Sequence, residues 1–380
     1  MEIYLDNSAT TKVCPEAVAA AVRAMEQEYG NAASLHRKGF LAEQEILSAK
    51  RSIAKAIACQ PEELYFTSGA TESNNWALIG AAMAHKRRGN RFITTTIEHA
   101  SVLHTMDYLE SQGFEVVRLS PNADGNFDPQ MFADAVNDRT ILVSCMLVNN
   151  ETGLRLPVEA IAKAVKRKNP ETLMHTDAVQ GFLKLPFRVK NTGIDLLSAS
   201  GHKVYAPKGI GILYRRKGVR ILPLLHGGEQ QNGERPGTDN VPLIAAFGAA
   251  VEAYFPHQRA YLEQYTALCS RLCGRLAEIP GISIHHDAER MVPYILNISC
   301  ERLRSEVLMH YLEQAEIYVS SGSACARGEK SHVLRAMGLP DAEIDTALRI
   351  SFSKDTTPEM VDAFADRLST AFTELEKIGR

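Results

Sequence analysis

Residues 63–95 read ELYFTSGATESNNWALIGAAMAHKRRGNRFITT and decide the fold. The pattern predicts a strand over Glu63–Thr67, a turn of small residues, a helix over Thr71–Arg88 and a second strand over Arg91–Thr95. Strands joined through a helix need a crossover connection, which favours a parallel sheet. Short apolar strands and helices alternate in the same way through the first half of the chain. The sequence therefore predicts an α/β fold with a mostly parallel sheet flanked by helices.

The pattern changes after a long helical stretch over Asn240–Ile279, in which Phe255-Pro256 predicts a break. Three further strands are predicted over Ile282–His286, Tyr294–Ser299 and Leu348–Phe352. Two helices are predicted over Arg304–Gln314 and Pro358–Lys377. These elements predict a smaller α+β unit after the sheet-forming part.

Composition and charge exclude several classes of protein. Apolar residues make up 45% of the chain and charged residues 23%, which is typical of a globular protein. The net charge of −3 leaves no surplus of basic residues for nucleic acid or an anionic membrane. The longest apolar stretch, Val241–Val251, contains Pro242 and is shorter than the roughly 20 residues of a membrane span. No signal peptide pattern is visible, so we expect a cytoplasmic protein.

The 7 cysteines are scattered and odd in number, which argues against a disulfide framework. Cys269 and Cys273 are close in sequence, but no neighbouring pair of His or Cys residues completes a metal site. We therefore predict no metal.

Three stretches carry candidate ligand-binding groups. Thr67–Thr71 leads from a strand into a helix, where free N–H groups and the helix dipole attract phosphate, although an ordinary capped helix fits the same residues. Asp177 ends a hydrophobic strand, where open α/β sheets bind ligands; it could pair with a ring nitrogen or cap a helix. Lys203 stands among small residues just past a strand. A neutral amine there could condense with a carbonyl, and a surface lysine is the alternative.

An anion site, a strand-end carboxylate and a recessed lysine, in this order, meet the needs of pyridoxal 5'-phosphate (PLP). His99 adds a fourth element, because an imidazole after a strand could stack on the cofactor ring and transfer protons. A structural role for His99 is the alternative. Taken together, the four signals predict PLP as the cofactor.

Ordered motifs along nearly the whole chain show a family resemblance. The sequence resembles the cysteine desulfurases, a branch of the class V aminotransferase-like, fold-type I PLP enzymes. This resemblance implies a large PLP-binding domain over residues 15–255, with a mostly parallel seven-stranded type of sheet. It also implies a smaller α+β domain formed by residues 1–14 and 256–380. The motifs are Tyr4-Leu5-Asp6-Asn7-Ser8-Ala9-Thr10-Thr11, Gly69-Ala70-Thr71-Glu72, Glu98-His99, Asn149-Asn150-Glu151-Thr152-Gly153, Ser320-Ser321-Gly322-Ser323-Ala324-Cys325 and Leu348-Arg349-Ile350-Ser351.

The resemblance also implies a role for each site residue. Lys203 would carry the cofactor, Asp177 would bind the pyridinium nitrogen, and His99 would stack on the ring and move protons. Gln180 would hydrogen-bond to the ring hydroxyl. The phosphate would be held by Ala70, Thr71, Ser200 and His202, with Thr238 reaching it from the neighbouring subunit of a homodimer.

The substrate implied by the resemblance is L-cysteine. Asn150, which would also contact the cofactor, and Arg349 would hold its carboxylate, since the planar guanidinium binds carboxylates in a bidentate manner. Cys325 matches the nucleophile. Its neighbours Ser320–Ala324 are small and polar, so we expect an exposed, mobile segment, and Arg327 and Lys330 should favour the thiolate. The products would be L-alanine and a persulfide on Cys325, passed to an iron–sulfur scaffold or a thiolation enzyme.

Three residues depart from the family pattern, namely Glu229, Gln231 and Pro236. Pro236 fixes its own backbone and affects the contact expected of Thr238. Three other kinds of protein remain alternatives. A selenocysteine lyase or a transaminase would have the same fold, and a non-catalytic sulfur-relay scaffold would have lost Lys203 or another of the reactive residues.

Overall fold

A seven-stranded sheet forms the centre of the protein in the computed structural model, which describes residues 2–321 and 330–378. Its strands are β2 (Leu64–Thr67), β3 (Arg91–Thr95), β4 (Glu115–Leu119), β5 (Thr140–Ser144), β6 (Leu173–Asp177), β7 (Leu196–Ser200) and β8 (Gly211–Arg215). The strand order is β2-β8-β7-β6-β5-β3-β4. β8 runs antiparallel to both of its neighbours, and the other strands pair in parallel. The predicted mostly parallel sheet is therefore confirmed.

Helices cover both faces of this sheet. They are α1 (Pro15–Glu26), α2 (Arg37–Ile57), α3 (Ala70–His85), α4 (Ala100–Ser111), α5 (Pro129–Ala135), α6 (Val158–Lys168) and α7 (Val241–Tyr254). The buried side chains of α3 and α4 form one apolar cluster, and those of α1, α2, α6 and α7 belong to the cluster on the other side. β5, β6 and β7 are buried along their whole length, as parallel strands covered on both faces should be.

A smaller antiparallel sheet follows in the chain. Its elements are α8 (Gln258–Ala277), β9 (Ile282–His285), β10 (Ile295–Cys300), α9 (Ser305–Glu313), β12 (Ser320–Ser321), α10 (His332–Ala336), α11 (Asp341–Asp345), β13 (Ala347–Ser351) and α12 (Pro358–Ile378). The strand order is β12-β13-β10-β9. At the other end of the chain, β1 (Ile3–Tyr4) pairs in parallel with β11 (Ile317–Tyr318). No helix within the described residues is both long and apolar enough to cross a membrane.

The predicted element bounds match best where the apolar pattern is sharpest. β3 begins and ends at the predicted residues. β2 begins one residue after the predicted Glu63, and α3 begins one residue before the predicted Thr71 and ends three residues before the predicted Arg88. The expected break in the long helix is a 3-10 turn over Phe255–His257 between α7 and α8.

A buried carboxylate connects three elements beneath the sheet. Asp195 is fully buried just before β7 and binds Lys166 of α6 at 2.6 Å and Arg216, just after β8, at 2.6 Å. It also accepts the backbone N–H of Met174 in β6 at 2.8 Å. A buried charge is stable only when it is paired and hydrogen-bonded. The bonds of Asp195 therefore fix the position of α6 and of the start of β7 relative to β6.

Removing this carboxylate should destabilise the protein. We expect Asp195→Ala to lower the free energy of unfolding by about 3 kcal/mol, because Lys166 and Met174 lose a buried partner. The measurement is urea unfolding of the cofactor-free protein. Asp107→Ala is the control, since Asp107 is exposed beside Arg118 and should contribute less than about 1 kcal/mol. Equal losses for the two variants would contradict a structural role for the Asp195 cluster.

Candidate active site

A cavity of about 640 Å³ opens at the carboxyl ends of the parallel strands. Residues of the N-terminal segment, the large sheet and the small sheet all line it. Every predicted site residue within the described ranges lines this cavity except Thr238; Cys325 lies outside the described residues. The lining residues that were predicted are Ala70, Thr71, His99, Asn150, Asp177, Gln180, Ser200, His202, Lys203 and Arg349.

The expected phosphate site is the start of α3. Gly69 precedes the helix with a φ of 156°, and no side chain caps the helix there, so the first N–H groups of α3 remain available to a ligand. Glu72 also lines the cavity, where its carboxylate accepts the N–H of Ser68 at 2.7 Å and is paired with Arg235 at 2.8 Å, so its negative charge is neutralised. The helix start therefore fits an anion better than the capped-helix alternative.

Gly211 of β8 lies directly against this turn. A side chain at Gly211 would place its first carbon 2.7 Å from the backbone of Gly69, so only glycine lets β8 lie against the turn. His202 lies at the rim and contacts Thr10 Oγ1 through Nδ1 at 3.2 Å. Burial, with the positive charge of Lys203, lowers the pKa of His202 to about 4. His202 is therefore a neutral hydrogen-bonding group at neutral pH.

The carboxylate of Asp177 is buried at the end of β6, where it is held by two donors. The Asn74 amide donates to it at 2.8 Å, and the N–H of Val179 donates at 3.0 Å. Sequence reasoning missed Asn74. The available signal was its position four residues after Ala70, which places it on the same face of α3 as the phosphate site.

Lys203 lies on a short 3-10 turn directly after β7. Its ammonium donates to the carbonyl oxygens of Ser8 at 2.5 Å and Ala9 at 2.7 Å. A second lysine, Lys184, is buried nearby above the Tyr294 ring, and burial, helped by the charge of Lys203, lowers the pKa of Lys184 to about 7. Only Lys203 of these two lines the cavity.

Arg349 of β13 marks the other end of the cavity. Its guanidinium binds Asp6 at 2.7 Å and donates to the carbonyl oxygen of Asn150 at 3.0 Å, while its Nε is buried without a partner in the described part of the chain. Glu151, which the sequence analysis did not select, also lines this end and accepts the Ser331 hydroxyl at 2.5 Å. Burial raises the pKa of Glu151 to about 7.

Lys330 and Thr238, both named in the sequence analysis, do not line the cavity of their own chain. Lys330 binds Asp345 at 3.0 Å and Asp341 at 3.2 Å, so its charge is engaged by two carboxylates. Thr238 is exposed and absent from the lining of its own chain's cavity. Arg235, three residues before it, is the partner of Glu72 and holds this loop beside the start of α3.

The fold and this site are those of a PLP-dependent enzyme, and comparison with known proteins agrees. The Aminotransferase class-V family matches residues 3–364. Cysteine desulfurase IscS of Methanosarcina thermophila is 41% identical over 363 residues, which cover 95% of this chain and 89% of that protein. The chain therefore belongs to the class-V aminotransferases and, within them, to the cysteine desulfurases.

Solved structures support the same assignment. A NifS-like protein is 38% identical and has a TM-score of 0.93, with 98% of this chain and 100% of that one covered. SspA, solved in complex with cysteine, is 34% identical and has a TM-score of 0.80, with 93% of this chain and 99% of that one covered.

The residues present fit PLP. Ser8 Oγ and Gln180 Oε1 are buried polar atoms without partners in the described ranges, and both residues line the cavity beside Asp177 and Lys203. Buried polar atoms normally find a partner, so these two point to a polar ligand. The start of α3, Ser200 and His202 would hold the phosphate, Asp177 the ring nitrogen and Lys203 the aldehyde carbon. When bound, PLP withdraws electrons from the bonds at the substrate α-carbon.

Borohydride reduction of the loaded protein should fix the cofactor on Lys203 alone. Lys184 and Lys208 are the competing lysines, because Lys184 has a low pKa and Lys208 lines the cavity. The measurement is mass spectrometry of the digested protein, with Lys203→Ala as the control that should lose the label. Label on the peptide of Lys184 or Lys208 would contradict the assignment of Lys203.

Proposed function

We propose that the protein removes the sulfur atom of L-cysteine, releases L-alanine, and passes the sulfur through Cys325 to an acceptor protein. The observation that carries the proposal is that one cavity holds a lysine, a buried strand-end carboxylate and an arginine with an unused Nε. Relatives of about 40% identity named cysteine desulfurases and a solved relative in complex with cysteine support it.

The chain's own residues divide the work between the two ends of the cavity. Arg349 binds the substrate carboxylate, and Asp6 and the Asn150 carbonyl keep its guanidinium in place. Lys203, which lines the same cavity at the end of the large sheet, is the base that removes the α-proton of the substrate. The balance is L-cysteine plus the Cys325 thiol giving L-alanine plus a persulfide on Cys325, so the sulfur is transferred with no outside oxidant.

Chain length allows Cys325 to take part. Cys325 follows Ser321 by four residues, and Ser321 lines the cavity as part of β12, which pairs with β13 beside Arg349. Four residues of chain span at most about 14 Å. Ser331, six residues after Cys325, is bound to Glu151 at the substrate end. Both flanks of the nucleophile are therefore attached close to where the substrate would lie.

Cys325→Ala should abolish persulfide formation and leave the cofactor absorbance intact, because the thiol is the only expected sulfur acceptor on the chain. The measurement is alanine release together with mass spectrometry of the digested chain. Cys273→Ala is the matched control, since Cys273 is a partly buried thiol of α8 whose pKa is lowered by a hydrogen bond from Cys269. Persulfide formation at the normal rate in Cys325→Ala would show that another group accepts the sulfur.

We also propose a homodimer in which Thr238 completes the partner's phosphate site. Thr238 is exposed and stands outside its own cavity. Large apolar side chains on α1, α2 and the loop between them are exposed as well, which is typical of a surface that another chain covers. They are Met25, Tyr29, Leu35 and Phe40.

A complementation experiment tests the shared site. Co-expressed Lys203→Ala and Thr238→Ala chains should form mixed dimers in which one site has both residues, so activity should exceed that of either variant alone. If Thr238 served its own chain, no mixed dimer would contain a complete site and the mixture would be no more active than its parents. Solution scattering checks that dimers are present.

The acceptor, we propose, is a protein of iron–sulfur cluster assembly or of cofactor or tRNA thiolation. The name IscS among the relatives supports the first of these. The division into residues 15–255 and a small domain of residues 1–14 and 256–380 stays a prediction, as does the cytoplasmic location.

A further inference from the structure

Asn74 connects two residues of the site that are far apart in sequence. Its side chain is fully buried on α3, and its Nδ2 lies 2.8 Å from Asp177 Oδ2 and 2.9 Å from Ser101 Oγ. The nitrogen must face Asp177, because an amide oxygen there would repel the carboxylate. Both N–H bonds of the amide are thus used, one on Asp177 and one on Ser101.

Ser101 carries the connection to His99. Its hydroxyl oxygen already accepts a hydrogen bond from Asn74, so the hydroxyl hydrogen is free to point at His99 Nδ1, 2.8 Å away. The backbone N–H of Ser101 also donates to Nδ1, at 3.1 Å. Since an N–H can only donate, Nδ1 is an acceptor and the ring proton of neutral His99 lies on Nε2.

The position of His99 in the fold also favours the neutral imidazole. His99 is the N-cap residue of α4, and its Nδ1 accepts a backbone N–H that has no partner within the helix. The positive end of the helix dipole disfavours a charged imidazole at this position. Burial lowers the pKa of His99, Asp177 opposes this, and Lys203, His332 and His104 add to it.

We propose that Asn74 is a positioning residue that orients the Ser101 hydroxyl as a second donor to Nδ1, beside the Ser101 backbone N–H, and so helps to keep His99 neutral with its proton on Nε2. His99 then meets the substrate or cofactor as a hydrogen-bond donor, and the base at the α-carbon is Lys203 alone. The same amide steadies the carboxylate of Asp177, so one buried side chain sets the hydrogen bonding of both groups. The inference rests on the proposed function for what His99 contacts, but the proton positions follow from this chain alone.

Nitrogen NMR of protein labelled with ¹⁵N-histidine tests the proposal without turnover. His99→Gln identifies the His99 signals in the cofactor-free protein. We expect a lone-pair nitrogen at Nδ1 and a protonated nitrogen at Nε2. Asn74→Leu and Ser101→Ala should each raise the measured pKa of His99 by about one unit, because a donor to Nδ1 is lost or misdirected.

Matched variants separate this effect from a general loss of structure. Ser101→Thr keeps the hydroxyl and should restore the normal titration. Asn75→Ala removes the neighbouring amide, which within the described residues donates to the carbonyl oxygen of Thr71, and should change nothing. A proton on Nδ1 in the unmodified protein would overturn the proposal, as would an unchanged titration in both Asn74→Leu and Ser101→Ala. Failure of the proposed reaction would show instead as absent alanine, with these NMR results intact.

Discussion

The N-terminal segment, residues 3–11, hydrogen-bonds to both parts of the molecule, and the geometry of the cavity depends on it. On one side, Ile3 and Leu5 donate to Glu316 and Tyr318, and Leu5 accepts from Ser351. On the other side, Thr11 donates to the carbonyl oxygen of His202, and the carbonyl oxygens of Ser8 and Ala9 accept the ammonium of Lys203. This segment thus sets the distance between Arg349 and Lys203, because its hydrogen bonds attach it to both parts of the molecule.

Much of the fold could be predicted, because elements that are buried in the core carry a recognisable pattern of apolar residues in the sequence. The centre of β5 is an apolar run in a strand that lies between two helices, and α6 shows a sharp apolar stripe. The two-residue strands at Ile3–Tyr4, Ile317–Tyr318 and Ser320–Ser321 could not be predicted, since a pattern with a period of two needs more residues to show. They exist because distant segments meet, which no local pattern records.

The candidate site also contains residues that could be predicted from the sequence and residues that could not. Groups that are expected to contact the cofactor directly stand in short motifs at strand ends, so Asp177 and Lys203 could be selected from the sequence together with the resemblance. Asn74 and Glu151 were missed: spacing could place Asn74 on a face of α3, but the sequence does not show the remote partners, Ser101 for one and Ser331 for the other. A buried amide in a helix gives the same sequence signal as any polar residue on a helix. Only the packed structure tells which neighbours it has.

The close approach of Gly211 to Gly69 has a consequence for how the protein can vary. Gly211 belongs to a strand inside the sheet and Gly69 to the turn that would hold the phosphate, and a methyl group on Gly211 would lie 2.7 Å from the Gly69 backbone. The anion site therefore keeps its shape because Gly211 has no side chain. An alanine at Gly211 would push the turn outward and change the binding of a ligand that it never touches. Variation in this interior strand is thus limited by ligand recognition as well as by folding.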